Sequence, residues 1–151
     1  MAGQRFDLVL SNPPYIAAAD PHPERADTPE GALRRWPDRV DDALAVTVDP
    51  GADRRHSSAD PRLTIRVAAH PLPDARSVAA ADEALARAGD LGAEDLLVAL
   101  ISGGASSLLA APAPGLSLEH KRSLVAALLD AGAPIQEVNL VRRHLSRVKG
   151  G

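Results

Sequence analysis

A chain of 151 residues, 45% hydrophobic and 25% charged, is long enough to bury the core of one α/β domain and has the composition of an ordinary globular protein. A net charge of −3 and only three aromatic residues, Phe6, Tyr15 and Trp36, argue against a nucleic-acid surface, which needs a basic face with stacking platforms. The lack of cysteine removes disulfides, iron–sulfur clusters and thiolate zinc sites, while no apolar run approaches the length of a membrane span and no basic-then-apolar signal opens the chain.

A cytoplasmic setting is expected, with neither nucleic acid nor membrane as partner. Only two of the 17 basic residues are lysines, Lys121 and Lys149, and both stand out against the arginine-rich background.

Phe6-Asp7-Leu8-Val9-Leu10-Ser11 reads as a short buried strand, ended by Asn12-Pro13-Pro14-Tyr15, whose prolines forbid continued pairing. Residues 20–43 are rich in Pro, Asp, Glu and Arg and read as a linker with one helical turn around Glu30–Trp36. Ala43–Val48 is a second strand, ended by Asp49-Pro50-Gly51. The polar stretch 49–61 is a surface loop whose His56 has no second histidine at ligand spacing, so no metal site is predicted.

Leu63–Ala68 alternates apolar and polar residues, as a half-exposed strand does. Asp74 then caps a helix over Ser77–Gly89 with Val78, Ala81, Leu85 and Ala88 on its buried face. After the rigid turn Pro112-Ala113-Pro114-Gly115, Ser117 caps a helix with a stripe of Leu124, Ala127, Leu128 and Ala131, ended by Gly132 and Pro134. A last helix over Ile135–Arg147 buries Val138, Val141 and Leu145. Arg142 and Lys149 lie seven residues apart and share a face if that helix persists.

The most informative stretch is Leu96–Ser107. Six apolar residues, Leu96–Ile101, run into Ser102-Gly103-Gly104-Ala105-Ser106-Ser107, the order by which a buried strand delivers a small hydroxyl-rich loop. Gly103 and Gly104 allow positive φ and close approach of a ligand to the backbone. Ser102, Ser106 and Ser107 supply hydroxyls, and a helix starting near Ser107 would favour an anion at its free N–H groups. An ordinary strand-to-helix turn is the alternative. A serine nucleophile elbow is a poorer reading, because Gly104-Ala105-Ser106-Ser107-Leu108 lacks its final glycine.

Two resemblances follow from motifs. Phe6-Asp7-Leu8 with Asn12-Pro13-Pro14-Tyr15 and Ile16-Ala17-Ala18-Ala19-Asp20-Pro21-His22 resembles the Asn-Pro-Pro-Tyr segment of the release-factor glutamine methyltransferases. The resemblance implies that Asn12 and the Pro13 carbonyl hold a planar amide nitrogen and that Tyr15, after Pro14, stacks on it. The methyl-donor loop of that family has no counterpart: only five residues precede Phe6, and no G-x-G-x-x-G follows.

From about Ala43, with a weaker extension from Arg34, the chain resembles the N-terminal domain of the bacterial glycerate 2-kinase family. The motifs are His70-Pro71-Leu72-Pro73-Asp74, Leu100-Ile101-Ser102-Gly103-Gly104-Ala105-Ser106-Ser107-Leu108-Leu109, and Glu137 through Gly151, including Asn139, Arg142-Arg143-His144-Leu145-Ser146 and Lys149-Gly150-Gly151. This resemblance implies transfer of a phosphoryl group from ATP, with a divalent metal such as magnesium, to D-glycerate, giving 2-phosphoglycerate. It implies Lys149 and Arg142 as catalytic cations, and Ser102, Gly103, Gly104 and Ser106 as the substrate- or phosphate-binding loop, with glycerate and ATP as the small anionic partners. Arg143 and Arg147 are expected to be solvated.

Ala105 stands where that family has a third glycine. The family's Gly-Lys-Ala loop has no counterpart before Ala43, and its members continue well beyond 151 residues. The expectation is therefore an α/β fold, a layered Rossmann-like parallel or mixed sheet with flanking helices, truncated and inactive alone. Its expected divisions are a methyltransferase-like fragment over 1–23, a linker over 24–42 and a partial kinase domain over 43–151. A methyltransferase fragment, or a non-catalytic anion-binding or degenerate fusion protein, are the alternatives.

Overall fold

Apolar residues on both faces of a strand demand cover on both sides, and Ala43-Leu44-Ala45-Val46 sets the plan of this fold. The computed structural model describes residues 6–11, 33, 40–48, 60–70, 72–101 and 104–150. Its elements are β1 (Phe6–Ser11), β2 (Val40–Val48), β3 (Leu63–Ala68), α1 (Ala75–Gly89), β4 (Leu97–Ile101), α2 (Ala105–Leu108), α3 (Leu118–Asp130) and α4 (Ile135–His144). The strands form one four-stranded sheet in the order β3-β2-β1-β4, and every pairing is parallel. That is the order of the first half of a doubly wound sheet, in which the chain leaves one edge and returns beyond the first strand.

The β1 segment, which carries the methyltransferase-like flank, hydrogen-bonds to β2 on one side and β4 on the other. Asn12, Pro13, Pro14 and Tyr15 lie outside the described residues, so their motif has no structural counterpart to report.

Alternate residues of β2 divide between two cores. Ala43 and Ala45 pack with Val40, Leu33 and Leu63 on one face. Leu44 and Val46 pack with Ala68, Ala80 of α1 and Leu108 of α2 on the other. Leu33, inside the expected linker, is helical and 1% exposed. The two faces explain why β2 shows no alternation while β3, half-covered, does.

Two expectations about packing are corrected. The run Leu96–Ile101 is not buried: β4 is an edge strand, and Ile101 is 64% exposed. An apolar run identifies a strand without telling the centre of a sheet from its border. The stripe expected on α3 is also displaced. Leu124, Ala127 and Ala131 are exposed, and the helix buries Lys121 with Val125 and Leu128 half-buried behind it. On α1 the packed face runs through Ser77, Ala80 and Ala81, with Val78, Leu85 and Ala88 only half-buried.

The caps behave as read. Asp74 accepts from the N–H groups of Arg76 and Ser77 at 3.0 and 3.2 Å, and its own N–H donates to Ser77 Oγ at 3.2 Å, a reciprocal capping box. Ser117 Oγ accepts from the His120 N–H at 3.1 Å.

Candidate functional site

The glycine turn after β4 begins at the carboxyl end of the sheet. Ser11 and Ile101, the last residues of β1 and β4, are paired partners, so the two strands end side by side where the strand order reverses. Open α/β sheets bind ligands at that point. Ser102 and Gly103 lie outside the described residues. Gly104 has φ of 85° and precedes α2 as its cap. The left-handed geometry therefore falls on Gly104, while Ala105 sits inside the helix and carries no such demand.

The helix is a single turn of four residues. The N–H groups of Ser107 and Leu108 are taken by the Gly104 carbonyl at 3.0 and 3.4 Å, and Ser107 Oγ donates to the same oxygen at 2.9 Å. The N–H groups of Ser107 and Leu108 and the Ser107 hydroxyl are thus committed to the Gly104 carbonyl and are not offered to a ligand. Ser106 instead faces a cavity of about 210 Å³.

That cavity is bounded by Leu72, Pro73, Val125 and Val138, with Ser106, Lys121 and Arg142 among its polar lining and no carboxylate. Four segments build it. The residues before the Asp74 cap bring Leu72 and Pro73, α2 brings Ser106, α3 brings Lys121 and Val125, and α4 brings Val138, 1% exposed, with Arg142 one turn further along.

Lys149 joins the group by an unexpected route. α4 ends at His144, three residues before its expected end, so helical spacing does not carry Lys149 to the face of Arg142. The tail instead folds back onto residues 109–113. Ala113 N–H donates to the Leu145 carbonyl at 3.2 Å, Arg147 N–H to the Ala111 carbonyl at 3.0 Å, and Pro112 and Ser146 form an isolated antiparallel bridge. Lys149 Nζ then donates to the Leu109 carbonyl at 2.6 Å. Arg147, expected to be solvated, is exposed and pairs with Asp82 of α1 at 2.5 Å.

Lys121, Arg142 and Lys149 feel one another's charge. Burial, then Lys121 and Arg142, lower the Lys149 ammonium to about 8. Burial and the charge of Arg142 lower Lys121, and burial lowers Arg142. Among the described residues none of the three forms an ion pair. Arg142 makes only a 3.4 Å contact to Asn139 Oδ1, and Lys121 Nζ has no hydrogen-bond partner although the residue is 3% exposed. Unopposed cations around a small recess attract an anion.

The sequence reading named Arg142, Lys149, Gly104 and Ser106 but not Lys121. The scarcity of lysine was the signal: Lys121 lines the recess, and Lys149 lies near enough to feel its charge and that of Arg142.

Fold and site together define a parallel α/β domain with a cationic recess beside its glycine turn. The chain belongs to the family described as a domain of unknown function, DUF4147, whose model matches residues 22–151. A protein of Agrobacterium vitis provisionally named hydroxypyruvate reductase is 42% identical over 159 residues, covering 97% of this chain and 36% of that protein. The glycerate 2-kinase of Pyrococcus horikoshii is 43% identical over 90 residues, covering 60% of this chain and 20% of that protein.

Among solved structures, the glycerate kinase of Thermotoga maritima superposes with a TM-score of 0.77 at 28% identity, covering 98% of this chain and 32% of that one. A Pyrococcus horikoshii protein gives 0.73 at 34% identity, covering 99% and 30%. The expected kinship with glycerate 2-kinases is met in sequence and in fold. The chain spans between 20% and 36% of the length of these relatives.

Proposed function

We propose that this chain is the N-terminal part of a cytoplasmic, ATP-dependent glycerate 2-kinase that converts D-glycerate to 2-phosphoglycerate. The observation that carries the reading is the unopposed group Lys121, Arg142 and Lys149 beside the glycine turn, in a chain whose relatives include glycerate kinases. Phosphoryl transfer brings two anions together and spreads charge over the transferred group, so catalysis rests on positioning and on cations fixed in advance. Arg142 offers a planar fork for two oxygens. Lys149, its ammonium held near 8, offers a point charge and a proton that it can release near neutral pH. In this reading Ser102, Gly103, Gly104 and Ser106 line the anion-binding loop and Lys149 and Arg142 are the catalytic cations.

A divalent metal is a different matter. Among the described residues no cluster of three His, Asp or Glu could hold one, and the recess is cationic. These residues do not fit a metal, so none of their roles runs through it. ATP would bring its metal with it, to ligands elsewhere.

The reductase name on one relative concerns the same three-carbon hydroxy-acid skeleton. A nicotinamide reductase would draw on a dinucleotide fingerprint, and no G-x-G-x-x-G occurs in the chain. Three neighbouring cations, Lys121 buried and Arg142 and Lys149 half-buried, suit phosphoryl transfer better than hydride transfer.

The test is ATP-dependent formation of 2-phosphoglycerate alongside binding of D-glycerate. The 151-residue chain is expected to bind glycerate and turn it over little. Robust phosphorylation by these residues alone would contradict the partial site, and failure to bind glycerate would contradict the substrate.

A further inference from the structure

Lys121 is the one buried side-chain nitrogen or oxygen, among the described residues, that has no hydrogen-bond partner. The residue lines the recess with Val125, Arg142 and Ser106, and only 3% of it is exposed. A buried ammonium without a partner is costly to keep charged, and an apolar side chain of the same length would fill that place at less cost. A lysine at this position is explained if an anion completes it.

We infer that the recess is a carboxylate pocket, in which Lys121 and Arg142 hold the carboxylate of a small 2-hydroxy acid and Ser106 meets one of its polar groups. The donor set decides for a carboxylate. A fork from Arg142, a point donor from Lys121 and one hydroxyl satisfy two oxygens, while Arg122, which also lines the recess, is exposed to solvent. A phosphate presents more oxygens than these inner groups and the apolar walls of Leu72, Val125 and Val138 would meet. Lys149 is tethered to the Leu109 carbonyl and does not line the recess, so it is left for the group transferred to the hydroxyl. Lys121 is thus a substrate-binding residue. The inference rests on the kinase reading only for the identity of the acid.

The experiment titrates the 151-residue chain, wild type, Lys121→Met and Lys121→Arg, with D-glycerate, L-lactate, glycerol and inorganic phosphate, reading heats and melting temperature. D-Glycerate and lactate are expected to bind the wild type, and glycerol, lacking the carboxylate, is not. Lys121→Met is expected to lose at least tenfold in glycerate affinity and yet melt several degrees higher without ligand, whereas Lys121→Arg retains part of the binding. Unchanged glycerate affinity in Lys121→Met overturns the inference, as does phosphate binding that excludes glycerate.

If Lys121→Met fails to fold, protection decides. With two lysines in the chain, reductive methylation followed by mass spectrometry reads Lys121 directly. Glycerate is expected to protect it, and no protection overturns the assignment. Lysine-dependent binding of lactate with no binding of D-glycerate would sink the kinase reading and leave this pocket standing. Glycerate binding without Lys121 dependence would do the reverse.

Discussion

Raising the pH from 7.5 to 10.5 is predicted to stabilise the chain, against the habit of proteins that lose stability in alkali. Lys149 titrates from the ordinary lysine value of 10.5 when unfolded, but near 8 when folded, because burial and the charges of Lys121 and Arg142 disfavour its ammonium. Below pH 8 both states hold the proton and Lys149 contributes no slope. Between about 8 and 10.5 the unfolded chain holds a proton that the folded chain has released, so stability rises with pH across that window. At about 1.4 kcal/mol per pH unit the interval corresponds to about 3 kcal/mol. Solvent reaching the half-buried ammonium trims this to about 2 kcal/mol.

The assay is urea unfolding at half-unit pH steps, wild type beside Lys149→Met, so that titrating groups remote from Lys149 cancel in the difference. The wild type is expected to gain about 2 kcal/mol relative to the variant between pH 8 and 10.5. Parallel curves would refute the reasoning, and a relative loss would mean that Lys149 is held by an anionic partner.

Further outcomes follow from single contacts. Leu108→Ala, at a fully buried position against Leu44 and Val46, is expected to cost about 3 kcal/mol in urea unfolding; under 1 kcal/mol would mean that the α2 face of the sheet is loosely packed. Asp74→Ala removes the side-chain half of the capping box on α1 and is expected to cost about 1 kcal/mol, with Asp74→Asn recovering most of it. Gly104→Ala places a Cβ at φ of 85° and is expected to cost about 1 kcal/mol by the same measurement while weakening glycerate binding; no change in either would remove Gly104 from the site. Asp82→Asn breaks an exposed ion pair to Arg147 and is expected to change stability by less than about 0.5 kcal/mol.

Local chemistry made most elements legible. Alternation located β3 to the residue, Asp74 and Ser117 located the helix starts, and Phe6–Ser11 was readable as a strand because prolines punctuate its end. Placement was harder. Nothing in Leu96–Ile101 says that its strand lies at an edge, since that depends on which strands pair. Likewise the hydrogen bonds of β1 run across the divisions drawn at residues 23 and 42, and pairing of this kind leaves no local trace.

Helix faces failed for a compositional reason. α3 carries Leu or Ala on several sides, so Leu124, Ala127, Leu128 and Ala131 make as good a stripe as Lys121, Val125 and Leu128, and a lysine is ordinarily assigned to solvent. That rotation hid Lys121. Helical spacing does not join Arg142 and Lys149, because α4 ends at His144; the bridge of Pro112 to Ser146 brings Lys149 back instead.

The account stands most directly on calorimetric titration of D-glycerate into the 151-residue chain at pH 7, with Arg142→Met beside it. Saturable binding at one site, lost by at least tenfold in the variant, is the predicted result. Heats no different from those of glycerol, or binding indifferent to Arg142, would contradict it.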